Sequence, residues 1–268
     1  TMRDLLGSRS KSFRDLACLD RLGSFYPLLM KAYRYDTTQQ KEQFEKTCRF
    51  LEIFSFRVLA VARSRSDAGQ PGLNTIARDF NGRYEKLFDA LRAEINRLST
   101  RKNFEDSLCN SEFYKLTKSS DVSYLFWKYE NFLRDSEQPI CPEMSESEFL
   151  DSSRKNLTVE HIASQNPNSI VEDRSILSAL DTEGEGLALN LNRLGNLTFD
   201  PASANSSKGN SAVAIKNSKY FSRAPYKTQN ELESFLQNGK WDIGAIEIRE
   251  KKIVEFAMKY WSHEYVDY

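Results

Sequence analysis

From about Phe13 to Arg134 apolar residues recur at three- and four-residue intervals, with few two-residue alternations. That period commits the first half of the chain to helices packed on helices. Phe44 to Val61 reads as one helix, and its stretch from Phe50 to Leu59 is apolar on nearly every side, so it is expected at the centre of a bundle. Asp67 to Gly72 breaks the pattern as a loop. Asn74 is a candidate cap for a helix from Thr75 to Leu98, with Ile76, Phe80, Tyr84, Leu87, Leu91 and Ile95 as its buried stripe. A further helix is expected from Val122 to Arg134.

Ser136 to Ser153 carries Pro139, Pro142, several serines and the acids Glu143, Glu146, Glu148 and Asp151, a linker-like composition. The expected organisation is therefore a helical bundle over 1–136, a linker over 137–156 and a second domain over 157–268. The second domain holds two strand-like runs, Leu157 to Ile162 and Leu194 to Phe199, before helical periodicity resumes. Its last helix is expected from about Ile243 to Trp261, with Trp241-Asp242 supplying the N-cap. The fold class that follows is mainly α with a small β-hairpin, a helical bundle followed by an α+β domain.

With 268 residues, 40% of them hydrophobic and 28% charged, the chain has the profile of a soluble globular protein able to bury a core. No run approaches the roughly 20 apolar residues that span a bilayer, and the first residues are unlike a signal peptide. A cytoplasmic protein without a membrane partner is expected. The start at Thr1, directly into a helix-like pattern, is what a fragment of a longer protein would give. Cys18, Cys48, Cys109 and Cys141 are far apart with no C-x-x-C pair, and read as free thiols. The formal net charge is zero, which gives no overall attraction to nucleic acid. The local distribution differs: Pro201 to Asn230 contains no Asp or Glu but holds Lys208, Lys216, Lys219, Arg223 and Lys227.

Only two histidines exist. His263, near the chain end, reads as a surface residue, and Trp127, Trp241 and Trp261 read as core anchors. His161 follows Val159-Glu160 at the end of a strand-like run, so Glu160 and His161 point to opposite sides of the strand. A carboxylate beside an imidazole is one way to bind a hard divalent cation and keep a base nearby. Asn156-Leu157-Thr158, Asn196-Leu197-Thr198 and Asn205-Ser206-Ser207 match the glycosylation pattern but lack a secretory context. Gly184-Glu185-Gly186 reads as a loop, and neither P-loop spacing nor a G-x-S-x-G nucleophile is present.

Val159-Glu160-His161-Ile162, Leu194-Gly195-Asn196-Leu197-Thr198 and Asn205-Ser206-Ser207-Lys208 together resemble the C-terminal HNH-type domain of GmrSD-type restriction endonucleases, a group that includes phosphorothioation-linked SspE proteins. Lys219-Tyr220-Phe221-Ser222, Trp241-Asp242-Ile243, Arg249 and Tyr260-Trp261 extend the resemblance over roughly Leu157 to Trp261. The helical region through Tyr124-Leu125-Phe126-Trp127 and Glu130 is similar to the region preceding that domain, less specifically.

The resemblance implies a ββα-metal site in which His161 is the general base, Glu160 and Asn205 are metal ligands, and Asn196 holds the loop between the strands and helps orient the base. An amide oxygen at Asn205 suits Mg²⁺ or Mn²⁺ better than Zn²⁺. Lys208, one turn further along the same helix, would contact the scissile phosphate or developing charge. Lys216, Lys219, Arg223 and Lys227 would grip the DNA backbone on either side. The implied activity is metal-dependent endonuclease cleavage of DNA, nicking or double-stranded, in restriction of foreign DNA including phage DNA. Such proteins pair the nuclease with an N-terminal nucleotide-binding sensor domain or subunit, for which this chain carries no signature. The rival reading is a catalytically silent DNA-binding or subunit-assembly module of a defence system.

Overall fold

Ser10 opens the first described helix, α1 (Lys11–Cys18), by accepting the Phe13 N–H at 2.9 Å, the usual way a hydroxyl satisfies an orphan helix donor. The computed structural model describes residues 10–62, 65, 67–136, 141–155, 157–163, 190–201, 213–264 and 266. It divides the chain into two compact units, one of Thr1–Ser107 with Met258–Tyr268 and one of Leu108–Ala257. Asn156, Gly184 to Gly186, Asn205 and Lys208 lie outside the described residues.

The first unit contains α2 (Tyr26–Tyr35) and α3 (Glu42–Phe54), and α3 continues directly as a π-helical segment over Ser55–Val61. As the apolar run required, this segment is the centre of its unit: Phe44, Cys48, Phe50, Leu51, Ile53, Phe54, Phe56, Val58 and Val61 are all buried. Two buried charged side chains along it, Glu52 and Arg57, have polar partners, as low-dielectric surroundings demand. Glu52 accepts Trp261 Nε1–H at 2.9 Å and also pairs with Arg49. Arg57 donates to the Ser99 carbonyl at 2.5 Å and lies 3.0 Å from Nδ1 of His263. Because a guanidinium can only donate, Nδ1 of His263 is the acceptor. His263 is thus buried, not on the surface as its position near the chain end suggested.

The single helix expected over 75–98 is two helices, α4 (Gln70–Asp79) and α5 (Tyr84–Leu98). Phe80 turns into extended backbone and Gly82 takes φ +95, a left-handed conformation that glycine adopts without a Cβ penalty. Asn74 consequently lies inside α4, where its Oδ1 accepts from Gln70, and caps nothing. Next comes α6 (Arg101–Leu108).

The second unit holds α7 (Phe113–Leu116), α8 (Ser119–Asp135), α9 (Glu146–Lys155), β1 (Leu157–His161), β2 (Leu197–Pro201), α10 (Val213–Lys219), α11 (Lys227–Asn230) and nearly all of α12 (Ile243–Tyr260). The two strands pair antiparallel, with Val159 opposite Phe199, Glu160 opposite Thr198 and His161 opposite Leu197. α8 packs on the strand pair, and Phe126 meets Phe199 with ring centroids 5.9 Å apart.

The boundary expected between 136 and 157 falls inside this unit. Trp127 Nε1 and Asn131 Nδ2 both donate to the Met144 carbonyl, at 2.9 and 3.0 Å, and Asn131 Oδ1 accepts the Met144 N–H at 2.8 Å. Phe149 stacks on Trp127 at 4.5 Å. The Met144 backbone and the Phe149 ring thereby dock this Pro- and Ser-rich stretch on α8.

Glu130, also on α8 and fully buried, accepts the N–H groups of Lys227 and Thr228 at 2.9 Å each and pairs with Arg134. It therefore satisfies the start of α11. The last helix begins as expected, with Asp242 Oδ1 accepting the Ala245 N–H at 2.9 Å. Arg249 of α12 is wholly buried and donates to the carbonyls of Gly195, Leu197 and Thr228 while pairing with Glu231. This one side chain fixes the turn into β2. Trp127, Trp241 and Trp261 are core residues, no disulfide joins the four cysteines, and no described helix is long and apolar enough to cross a membrane.

Candidate active site

His161 is the last residue of β1, and the strand's alternation puts its ring on the face opposite the Glu160 carboxylate. Both are buried, at 7% and 6% exposure. The Tyr114 ring stands nearly perpendicular to the imidazole, with centroids 4.6 Å apart. Burial, reinforced by the Lys216 charge and opposed by the neighbouring Asn192 side chain, pushes the His161 pKa down to about 4. At neutral pH the ring is a neutral imidazole with one nitrogen that can accept a proton.

The other face of β1 is held by α10. Lys216 Nζ lies 2.6 Å from Oε1 of Glu160 and donates to the His161 carbonyl at 3.0 Å. With 1% of its surface exposed, Lys216 is not part of a basic surface. Its charge is spent on a carboxylate 56 residues away, because a buried ammonium needs a buried counter-charge. Lys219 and Arg223 are exposed and Lys227 is half-buried.

Asn196 is fully buried in the turn that leads into β2 and makes three side-chain hydrogen bonds. Its Oδ1 accepts the Ala163 N–H at 2.9 Å and Trp241 Nε1–H at 3.0 Å, and its Nδ2 donates to the Leu191 carbonyl at 2.9 Å. Its own carbonyl accepts the Ile162 N–H at 2.9 Å. The residues that follow His161 are thereby tied to the turn that precedes β2. Gly195 permits this turn: a Cβ there would sit 2.1 Å from the Ile246 carbonyl oxygen of α12, so only glycine lets the backbones approach.

Tyr114 belongs to the surroundings of His161, Asn192 is bonded to Tyr114 and Glu112 faces Asn192, and the sequence reading passed over all three. The signals were slight: a third asparagine just ahead of Leu194-Gly195-Asn196, and an aromatic in the helical half. Tyr114 N–H donates to the Asn192 carbonyl at 2.9 Å, which brings a residue from the helical half beside the motif.

As for the divalent cation that the sequence implies, Glu160 supplies a hard carboxylate donor of the right kind. Its Oε1 is shared with Lys216, and a carboxylate has two oxygens with about four lone-pair sites, so donor chemistry and ion pair are compatible. Among the described residues no group of three or more His, Cys, Asp or Glu side chains is arranged to hold a metal. The further ligands must come from elsewhere, and Asn205 lies outside the described residues.

Comparison with curated proteins and with solved structures gives no match. The family model for the C-terminal domain of GmrSD restriction endonucleases matches residues 98–256, well over half of the chain. That span carries the Glu160-His161 strand, the Asn196 turn, Lys216 and the residues around the imidazole. The chain accordingly belongs to the GmrSD restriction endonuclease family, of whose C-terminal domain it is a member.

Proposed function

We propose that the second unit is a metal-dependent DNA endonuclease of the HNH (ββα-metal) type, which hydrolyses phosphodiester bonds in the restriction of foreign and phage DNA. The observation that carries this is the imidazole of His161: neutral at pH 7, buried, and packed against the Tyr114 ring at the end of a strand whose neighbouring carboxylate is also fixed. A neutral imidazole takes a proton from water, and the hydroxide so formed attacks phosphorus as the bond from phosphorus to the leaving sugar oxygen breaks, that oxygen taking up a proton from solvent.

Asn196 keeps the His161 backbone in register with the turn before β2, and Lys216 clamps Glu160 and the His161 carbonyl together. Glu160 and Asn205 would hold the cation, Mg²⁺ or Mn²⁺, which supplies neutralisation of charge on the non-bridging and leaving oxygens. Lys208 is proposed to meet the scissile phosphate. The exposed Lys219 and Arg223, with Lys227, are suited to the DNA backbone, whereas Lys216 is assigned to Glu160 instead. A cytoplasmic setting and control by an N-terminal nucleotide-binding sensor, as a domain or subunit, complete the proposal.

The test is conversion of supercoiled plasmid to open-circle or linear form with Mg²⁺ or Mn²⁺, with and without EDTA, for wild type and His161→Ala. Cutting that EDTA and the substitution each abolish is the expected result. Equal cutting by the substituted chain overturns His161 as the base. Salt-dependent DNA binding without cutting by either protein, indifferent to EDTA, favours the silent binding module.

A further inference from the structure

We propose that Lys216 is a built-in counter-cation of the Glu160 site: its ammonium engages oxygen donors of the kind a divalent cation takes, and so weakens the hold of the free chain on that cation. The proposal deepens the nuclease reading and rests on it for the role of Glu160 as a cation ligand.

The atoms that Lys216 meets are those of a hard-cation site. Its Nζ lies 2.6 Å from Oε1 of Glu160 and 3.0 Å from the carbonyl oxygen of His161. Carboxylate and backbone carbonyl oxygens are the donors that hard divalent cations select, and here one of each converges on a single positive charge. The placement is fixed by packing. Val213 at the start of α10 and Phe221 just past its end are buried in the same apolar cluster as Ile162 and Ala163, the two residues that follow His161. The helix that carries Lys216 is therefore held against the end of β1.

The balance of charge decides the consequence. Lys216 and Glu160 are both buried, where water screens little and each charge counts for more than at a surface. Their formal charges cancel. Asn205, the other proposed ligand, is neutral, and Pro201 to Asn230 contains no Asp or Glu. Among the described residues no group of three or more His, Cys, Asp or Glu side chains adds negative charge in a metal-holding arrangement. Affinity for a hard cation rises with the number of charged ligands, so a site whose carboxylate is already neutralised holds one weakly. A neutral side chain in place of Lys216 leaves the full charge of Glu160 to the cation.

Calorimetric titration with Mn²⁺, and thermal unfolding with and without it, read this effect without any cleavage. Lys216→Met is expected to bind Mn²⁺ about tenfold more tightly than wild type. Because a ligand of the folded state stabilises it by mass action, that variant is also expected to gain more in Tm when Mn²⁺ is added. Lys216→Gln, uncharged but still a hydrogen-bond donor, is expected to show the same gain. Combining either substitution with Glu160→Gln is expected to abolish it.

Mn²⁺ affinity no tighter than wild type in both single variants overturns the proposal, as does a gain that survives Glu160→Gln, which would put the cation elsewhere. A Lys216→Met chain that folds only with Mn²⁺ present supports it, since the cation then takes the place of the missing ammonium. The nuclease reading is judged apart: plasmid cutting by the wild type that requires Mg²⁺ or Mn²⁺ upholds that reading even where the affinities overturn the role of Lys216.

Discussion

The Lys216 ammonium lies 2.6 Å from Oε1 of Glu160 and 3.0 Å from the His161 carbonyl oxygen, and neither charge of this pair is more than 8% exposed. In such surroundings the attraction and the cost of desolvation are both large and nearly cancel, so the pair adds little net stability, yet losing one partner strands a buried charge. Lys216→Met is expected to lower unfolding stability by about 3–5 kcal/mol, measured by urea denaturation at pH 7. Adding Glu160→Gln removes the stranded charge and is expected to recover most of that loss. A cost for Lys216→Met below about 1 kcal/mol, the scale of exposed pairs, would show that the pair is solvated.

The basic run then divides by burial. Lys219 and Arg223 are exposed and available to phosphates, and Lys216 is not. Each phosphate contact contributes about one unit to the dependence of log binding constant on log salt concentration. Lys219→Gln and Arg223→Gln are each expected to reduce the slope of plasmid binding by roughly one. Fluorescence anisotropy with labelled duplex between low and moderate salt measures it. Unchanged slopes in both variants would remove α10 and the following turn from the DNA interface.

This division marks the limit of what the sequence made legible. Period and motif located the buried helix from Phe44 to Val61, the two strands, and the Asp242 cap of α12. They did so because each depends on neighbours within a few residues. The partners of Lys216 and His263 are 56 and 206 residues away, and no local pattern carries that information. A lysine in a basic run looks solvated until its carboxylate is found. The stretch around Met144 and Phe149 was misread for a related reason: its prolines and serines set the local composition, while Trp127 and Asn131 decide where it rests.

Gly195 offers a sharper packing test. A Cβ would approach the Ile246 carbonyl oxygen to 2.1 Å and the Glu250 backbone nitrogen to 2.9 Å, and backbone atoms of a packed helix cannot swing away as a side-chain tip can. Overpacking of this sort costs typically 1–3 kcal/mol and at times more. Gly195→Ala is expected to lower the Tm by several degrees and to loosen Arg249 from the Gly195 and Leu197 carbonyls. A Tm equal to wild type would mean that α12 does not rest against this turn.

Both histidines are buried with pKa values below 6.5, His161 mainly through desolvation and His263 through desolvation and then the Arg57 charge. Well above pH 6.5, from about pH 7.5 upward, neither ring holds an appreciable share of protons, folded or unfolded, and neither affects stability. As pH falls below 6.5 the unfolded chain takes up protons that the folded chain refuses, so stability declines. For His161 the decline continues to its folded value of about 4. Each fully coupled ring contributes at most about 1.4 kcal/mol per pH unit. Urea denaturation between pH 7.5 and 5 should therefore show falling stability in the wild type and a shallower fall in His263→Gln. Parallel curves would mean that His263 titrates as freely in the folded chain as in the unfolded one.

Asn196 makes three side-chain hydrogen bonds in a fully buried setting. Asn196→Ala leaves the Ala163 N–H, the Trp241 indole N–H and the Leu191 carbonyl without this partner, at about 1–3 kcal/mol for each group left unsatisfied. Asn196→Asp keeps both acceptor bonds but turns a carboxylate oxygen toward the Leu191 carbonyl and buries a charge. It is therefore expected to destabilise about as much as alanine, although the shapes match. If Asn196 works by pinning the backbone after His161, nicking by either variant should fall through a displaced base, with DNA affinity retained at temperatures where the chain is folded. Full nicking activity in a folded Asn196→Ala chain would show that the turn before β2 holds its place without the amide, leaving the strand register and Arg249 to position His161.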